Sequence, residues 1–238
     1  MKTFNERILE SAHQRSSRIV LALDLTGPID TRLSRAEAVL EEVQDSIAAV
    51  KVNHQLILPY GLEGLKVVTR KCKRARLPLI ADLKINDIES TNLSIADSLI
   101  AYGFDGVTAN PFVGLNEGLA GVISSLHEKG GGVIFLVYMS HLGAPEGYGL
   151  KMRDGTPLYK LFARRAKEWG ADGVVVSAKS ADILETTRKM IGRDCLIYSP
   201  GIGAQGGTSK TATGADFLIV GRAITEHRSP VKALRAWS

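Results

Sequence analysis

Eight short runs of branched apolar residues recur along the chain, and this regular alternation limits its possible folds more than any other feature. The runs cover residues 18–24, 48–53, 78–84, 106–110, 132–138, 173–177, 195–199 and 216–220. Between them lie good helix formers with apolar residues at helical spacing, as in 34–47, 115–129 and 158–169. Strict alternation of strand and helix is typical of a parallel sheet with helices packed outside it.

Chain length indicates how such a sheet is arranged. The 238 residues are close to the roughly 250 of a typical (β/α)8 barrel. We therefore predict an α/β protein with one TIM-barrel domain over residues 1–238 and an extra amphipathic helix within residues 1–17. The alternative is an open Rossmann-type sheet, but no strand is followed by G-x-G-x-x-G and a suitably spaced acidic residue.

Composition and charge exclude several functional classes. The apolar runs are too short to cross a bilayer, and residues 1–17 lack the apolar core of a signal peptide, so we expect a cytoplasmic protein. Cys72 and Cys195 have no motif partner and are expected to be buried small hydrophobic residues. The net charge of +5 is spread out, apart from a cluster at 71–76 that we interpret as a solvated helix end. A positive protein of this kind attracts anionic small molecules such as phosphate esters.

Polar side chains stand at the carboxyl end of most predicted strands, where TIM barrels place their chemistry. In chain order, they are Asp24, Lys51, Asn53, Asp82, Lys84, Asn110, Ser140, Ser199 and Arg222. Pro200 and Gly201 follow Ser199 in its loop, and Gly221 directly precedes Arg222. Since alternate side chains share a face, Asp82 points the same way as Lys84. Buried charges must neutralise one another, so we expect an alternating network of Lys51, Asp82, Lys84 and Asp87. Structural ion pairs, or a register that turns these residues toward the helices, are the alternatives.

The segment 199–210, SPGIGAQGGTSK, is rich in glycine and lies before the last strand. Such a loop exposes its backbone N–H groups, and the loops after strands seven and eight bind phosphate in many TIM barrels. Arg222 would supply a forked cationic donor and Gln205 a neutral one. The glycines also suggest a loop that closes over its ligand, although a glycine-rich loop alone is equally typical of a flexible turn.

Six segments together resemble the orotidine 5'-monophosphate decarboxylase family, in particular its compact archaeal-type members. They are LDLTG around Asp24, KVN at Lys51, ADLKINDIESTN at 81–92, MSHLGA around Ser140, SPGIGAQGG at 199–207 and VGRAI at Arg222. They span the whole chain in the family's order. The resemblance implies a homodimeric (β/α)8 barrel that decarboxylates orotidine 5'-monophosphate in pyrimidine biosynthesis without metal or organic cofactor.

The same resemblance implies roles for individual residues. Lys84 would protonate C6 of the pyrimidine, Asp82 would lie against the departing carboxylate, and Lys51 would hold the charge network and contact the ribose. The remaining binding residues would be Asp24 for a ribose hydroxyl, Ser140 for the pyrimidine, Pro200, Gln205, Gly221 and Arg222 for the phosphate, and Asp87, Ile88 and Thr91 in the partner subunit's site.

Two features leave room for other interpretations. Leu142 stands where relatives often carry proline, and His141 beside it is either an acid-base group or, as we favour, a hydrogen-bonded loop residue.

Sister sugar-phosphate enzymes that use magnesium also carry D-x-K-x-x-D, but Ile88 after Asp87 and the S-P-G-x-x-x-Q element fit the pyrimidine enzyme better. A non-catalytic barrel that binds nucleotide phosphates or RNA is disfavoured for two reasons. Basic and aromatic residues do not interleave, with aromatics only 6% of the chain. Phosphate binding alone would also need neither Lys84 nor Asp82.

Overall fold

Eight parallel strands close into a barrel in the computed structural model, which describes residues 1–201 and 213–237. The strands are β1 Ile19–Ala22, β2 Ala49–Asn53, β3 Leu79–Ile85, β4 Gly106–Ala109, β5 Gly132–Tyr138, β6 Gly173–Val176, β7 Leu196–Ser199 and β8 Phe217–Val220. Each strand pairs with the next, and β8 pairs with β1, so the sheet has no edge. The predicted TIM barrel is confirmed and the open sheet is excluded.

In the ranges that the structure describes, α-helices precede the first strand, follow the last one and connect most of the others. They are α1 Phe4–Gln14, α2 Ile29–Val43, α3 His54–Gly64, α4 Lys66–Ala75, α5 Glu89–Ala101, α6 Ala120–Glu128, α7 Ala144–Gly147, α8 Leu158–Glu168, α9 Ala181–Ile191, α10 Arg222–Thr225 and α11 Pro230–Leu234. Among the described residues, no helix is both long and apolar enough to span a membrane.

Two predicted helices differ in their limits from the observed ones. The helix expected at 34–47 begins earlier, at Ile29, because Pro28 occupies its N-cap with an extended ψ, and it ends at Val43. The helix expected at 115–129 is broken near its start, since Asn116 is extended and Glu117 is left-handed with φ 54°. Regular helix therefore begins only at Ala120.

The extra N-terminal helix α1 closes the amino-terminal end of the barrel. Thr3 and Glu6 form a reciprocal capping box at its start. Phe4 and Ile8 are fully buried among inward-facing residues of the strands. Phe4 occupies space that a side chain at position 132 would need, because a Cβ on Gly132 would lie 2.4 Å from its ring. Glycine at the start of β5 is thus required by the packing of α1.

A second and larger apolar cluster lies between the strands and the outer helices. Cys72 and Cys195 belong to it as free buried thiols, which confirms the prediction, and burial raises the pKa of both to about 12. Lys73, Arg74 and Arg76 are exposed at the end of α4, as predicted for this basic cluster, whereas Lys71 is half-buried. A cavity of about 600 Å³ lies beside α1 at the amino-terminal end, away from the polar strand ends.

Candidate active site

Two lysines and two aspartates meet at the carboxyl ends of β1, β2 and β3. Lys51 Nζ lies 2.5 Å from Asp82 Oδ2, and Lys84 Nζ lies 2.8 Å from Asp82 Oδ1. Lys51 Nζ also lies 3.5 Å from Asp24 Oδ1. The two positive and two negative charges balance, which is how a buried cluster of ions avoids a large desolvation cost.

The inward direction of this cluster follows from strand alternation. Lys51 lies two residues after Ala49, and Asp82 lies two residues after Ile80; both apolar residues belong to the cluster that fills the barrel interior. Lys51 and Asp82 are only 5% and 8% exposed. The alternative register, with these residues facing the helices, is excluded.

Electrostatics keep the central pair ionised. Burial by itself would raise the pKa of Asp82, but Lys51 and Lys84 outweigh it and hold that pKa well below its usual range. Burial likewise opposes the charge of Lys51, yet Asp82 and Asp24 raise its pKa above the ordinary value. Asp82 is therefore a fixed carboxylate at neutral pH, held between two ammonium groups.

The predicted fourth member, Asp87, is not part of this network within the chain, and Asp24 takes its place. Asp87 lies beyond β3, as expected, in an exposed turn before α5, where its Oδ1 accepts the N–H of Ile88. The buried side chain of Asn92 anchors that turn by donating to the carbonyl of Asp87 and accepting its N–H. Ile88 and Thr91 are exposed on the same segment.

Two further residues hold the cluster in place. Asn53 donates to Asp24 Oδ1 at 2.7 Å. Thr108 on β4 donates to Asp82 Oδ1 at 2.9 Å and accepts the backbone N–H of Lys84 at 2.9 Å. Sequence reasoning gave Asn53 no role and missed Thr108. The sequence feature that could have identified Thr108 is its position two residues before Asn110, which places both side chains on the same face.

The proposed phosphate end of the site adjoins the cluster through Gly221. A Cβ at this position would lie 3.4 Å from the carbonyl oxygen of Ala22 and 3.5 Å from Asp24 Oδ2, so the end of β8 lies directly against the end of β1. Arg222 follows on the exposed surface. Pro200 is half-buried, and its carbonyl accepts the N–H of Ala178. Gln205 lies outside the described residues, as does the rest of 202–212.

The loop after β5 contributes the remaining predicted residues. Ser140 is half-buried directly after the strand, whereas His141 and Leu142 are exposed, Leu142 to 96%. Among residues 1–201 and 213–237, no group of three or more His, Cys, Asp and Glu side chains could hold a metal ion.

Comparisons with known proteins identify the family of this chain. Residues 17–237 match the model of the orotidine 5'-phosphate decarboxylase / HUMPS family. The chain is 36% identical to the orotidine 5'-phosphate decarboxylase of Methanosarcina barkeri, over 93% of each protein.

Solved structures of similar proteins share the barrel. The orotidine 5'-monophosphate decarboxylase of Methanocaldococcus jannaschii, complexed with the inhibitor BMP, has a TM-score of 0.78 and 28% identity over 92% of this chain and 95% of that one. The orotidine 5'-phosphate decarboxylase of Pyrococcus horikoshii has a TM-score of 0.74 and 34% identity, covering 92% of this chain and 96% of its own.

Proposed function

The chain belongs to the orotidine 5'-phosphate decarboxylase / HUMPS family, and on that premise we propose that it converts orotidine 5'-monophosphate to uridine 5'-monophosphate in pyrimidine biosynthesis. The observation that carries this proposal is the carboxylate of Asp82 held between Lys51 and Lys84 at the barrel mouth. The proposed enzyme is a cytoplasmic carboxy-lyase whose one domain covers residues 1–238, and it needs no metal or organic cofactor.

In the proposed reaction, the bond between C6 and the carboxylate carbon breaks and leaves its electron pair on C6. Carbon dioxide departs, and the ammonium of Lys84 delivers a proton to C6; water then reprotonates the lysine. No cofactor accepts the electron pair, so the site must stabilise it with fixed charge. Lys84 suits both steps, because it is cationic, only partly buried and already held by Asp82.

Asp82 opposes the carboxylate of the substrate. Because its pKa is held low, it stays ionised while a second negative charge is brought beside it. The repulsion ends when carbon dioxide leaves, so it disfavours the substrate more than the later states. Binding energy from the distant phosphate would offset the cost of this arrangement.

Other residues would bind the nucleotide around this centre. The ribose would contact Asp24 and Lys51, which are adjacent to each other, and the pyrimidine would contact Ser140. The phosphate would lie at Pro200, Gln205, Gly221 and Arg222, beside Asp24 through the close approach of Gly221. The related structure solved with BMP supports a ligand site in this barrel.

The proposed enzyme is a homodimer whose two sites are each completed by the partner. Asp87, Ile88 and Thr91 lie on an exposed turn, and Ile88 is 62% exposed despite being apolar. Their exposure leaves these side chains free to contact another subunit, and the family resemblance assigns them to the partner's site. These three residues would enter the neighbouring site.

The test is the loss of orotidine 5'-monophosphate absorbance with purified protein, with and without EDTA. We expect EDTA-insensitive turnover that falls at least ~100-fold in Lys84→Ala, the lower range for loss of a general acid. Lys189→Ala is the matched control, since Lys189 pairs with the exposed Glu185 on α9, far along the chain from the charge cluster. Absence of turnover by folded wild-type protein, with magnesium-dependent activity on sugar phosphates instead, would overturn the proposal.

A further inference from the structure

Thr108 is a buried hydroxyl that connects the two functional groups of β3. It is 2% exposed. Its Oγ1 donates to Asp82 Oδ1 and accepts the backbone N–H of Lys84, each at 2.9 Å. A threonine hydroxyl has one proton to donate, and Asp82 receives it. Both bonds therefore depend on this one side chain.

The backbone of β3 is irregular at this point. Ala81 pairs with Val107 and Ile85 pairs with Ala109, so the three residues Asp82, Leu83 and Lys84 face only Thr108 on β4. Such a bulge leaves backbone groups without their regular ladder partners and changes the direction of side chains. The hydroxyl of Thr108 takes the N–H of Lys84 in place of a ladder carbonyl.

Lys84 also has a left-handed backbone, with φ 51°. A residue with a Cβ adopts this conformation rarely, and only when its surroundings hold it there. Two contacts hold Lys84 here. Its backbone N–H donates to the Thr108 hydroxyl, and its ammonium donates to the Asp82 carboxylate. Without the hydroxyl, one of these two restraints is lost and Asp82 Oδ1 loses a donor.

We propose that Thr108 is a positioning residue for the reaction, holding the ammonium of Lys84 and the carboxylate of Asp82 in one fixed arrangement. This inference rests on the proposed function. Thr108 touches no reacting atom; it acts through the two residues that do. Small displacements of a proton donor cost rate far more than they cost binding, so the effect belongs in kcat.

The experiment compares Thr108→Val, which keeps the shape but removes the hydroxyl, with Thr108→Ser, which keeps the hydroxyl. We expect kcat to fall about 10- to 100-fold in Thr108→Val, with KM changed less than about threefold, and to recover to within about threefold in Thr108→Ser. The acid limb of the kcat profile should move to higher pH in Thr108→Val only, because Asp82 loses a donor.

Thr187→Val is the control, because Thr187 is also fully buried and its hydroxyl has no hydrogen-bond partner within the described part of the chain. It should leave kcat unchanged. Thr108→Ala replaces Thr108→Val if the latter does not fold. The proposal is overturned if Thr108→Val keeps its kcat, or if Thr108→Ser loses as much.

A failure of the proposed function is separable from a failure of this inference. Wild-type protein without turnover refutes the decarboxylase assignment alone. In that case, NMR titration of the lysine side chains still decides the role of Thr108. A changed Lys84 titration in Thr108→Val, but not in Thr108→Ser, supports the positioning role, and unchanged titration in both overturns it.

Discussion

Asp82 receives three donors on its two carboxylate oxygens, from Lys51, Lys84 and Thr108. This saturation explains how a carboxylate that is 8% exposed remains charged. The three donors come from three strands. Lys51 lies on β2, Lys84 lies in the bulge of β3 itself, and Thr108 lies on β4. The charge of Asp82 thus depends on the closure of β2, β3 and β4 around it.

The pKa shifts define the pH range over which the pair stabilises the fold. The pKa of Asp82 is depressed, so its contribution is present above the unfolded value of about 4 and is lost as pH falls through the folded one. The pKa of Lys51 is raised, so its contribution is present below about 10 and is lost as pH rises through the folded value. Neither group changes charge between roughly pH 5 and 9.

We expect Lys51→Met to lower the free energy of unfolding by about 3 kcal/mol at pH 7, because it leaves a buried carboxylate with one ammonium instead of two. As pH is lowered, the variant should also begin to lose stability at a higher pH than the wild type. Burial raises the pKa of Asp82, and in the variant Lys84 alone of the two lysines remains to lower it. Urea unfolding across pH measures both effects.

Lys189→Met is the control for Lys51→Met, because Lys189 and Glu185 are 72% and 67% exposed and solvent screens their attraction, so this change should leave the unfolding curve nearly unaltered. The double variant Lys51→Met with Asp82→Leu should cost less than the two single changes together. Additive costs would show that the 2.5 Å contact between these residues carries no coupling energy.

Part of the site was predictable from strand periodicity. Alternation places the polar residues of one strand on a common face, and their position at strand ends favoured the barrel mouth for Lys51 and Asp82. Thr108 was not predictable, because threonine is common in strands and its hydrogen bonds depend on a bulge that local sequence does not mark. The sequence left open whether Asp87 serves its own site or a neighbouring subunit's, since spacing after a strand does not tell which way a turn projects.

At the scale of elements, all eight strands were predicted to within about two residues of their limits, because long apolar runs bounded by polar ends specify buried parallel strands. Helix limits were less accurate where caps decide them, as at Pro28 and Glu117.

A short repeat escaped notice altogether. Aspartates in the G-x-D stretches at 103–105, 170–172 and 214–216 each accept the N–H of a residue at the start of the neighbouring strand. The three bonds are Leu79 N–H to Asp105, Val133 N–H to Asp172, and Ile197 N–H to Asp216. Three-residue stretches are too short to register as a repeat, although each one ties a pair of strands together at the amino-terminal end.

Helix α1 gives the clearest prediction at this scale. Phe4→Ala should lower the free energy of unfolding by about 3 to 5 kcal/mol, because it opens a cavity where the ring fills the barrel against Gly132. Leu9→Ala is the matched control on the same helix, where Leu9 is 48% exposed, and should cost less than ~1 kcal/mol. Thermal and urea unfolding measure the difference. Equal losses would show that α1 does not close the barrel in solution.

At the scale of the molecule, the barrel brings the ends of β1, β2, β3 and β8 into one mouth, so residues from both termini of the chain share a site. Asp24 is the link, since it contacts Lys51 on one side and lies against Gly221 on the other. A phosphate held near Gly221 would therefore be joined to the charge cluster by direct contacts. The turn that carries Asp87 lies beyond β3 and is exposed.

The proposed sharing of sites between subunits predicts that two inactive variants complement each other. Lys84→Ala and Asp87→Ala should each be nearly inactive alone, because one lacks the proton donor and the other lacks the residue given to its partner. In a mixed dimer, the Asp87→Ala chain keeps its own Lys84 and receives an intact Asp87. After full subunit exchange of equal amounts, about a quarter of wild-type activity should return, since half the dimers are mixed and one of their two sites is intact.

Exchange is followed with differently tagged chains, and a mixture of two Asp87→Ala preparations is the control. Demonstrated exchange without recovered activity would mean that Asp87 serves its own chain.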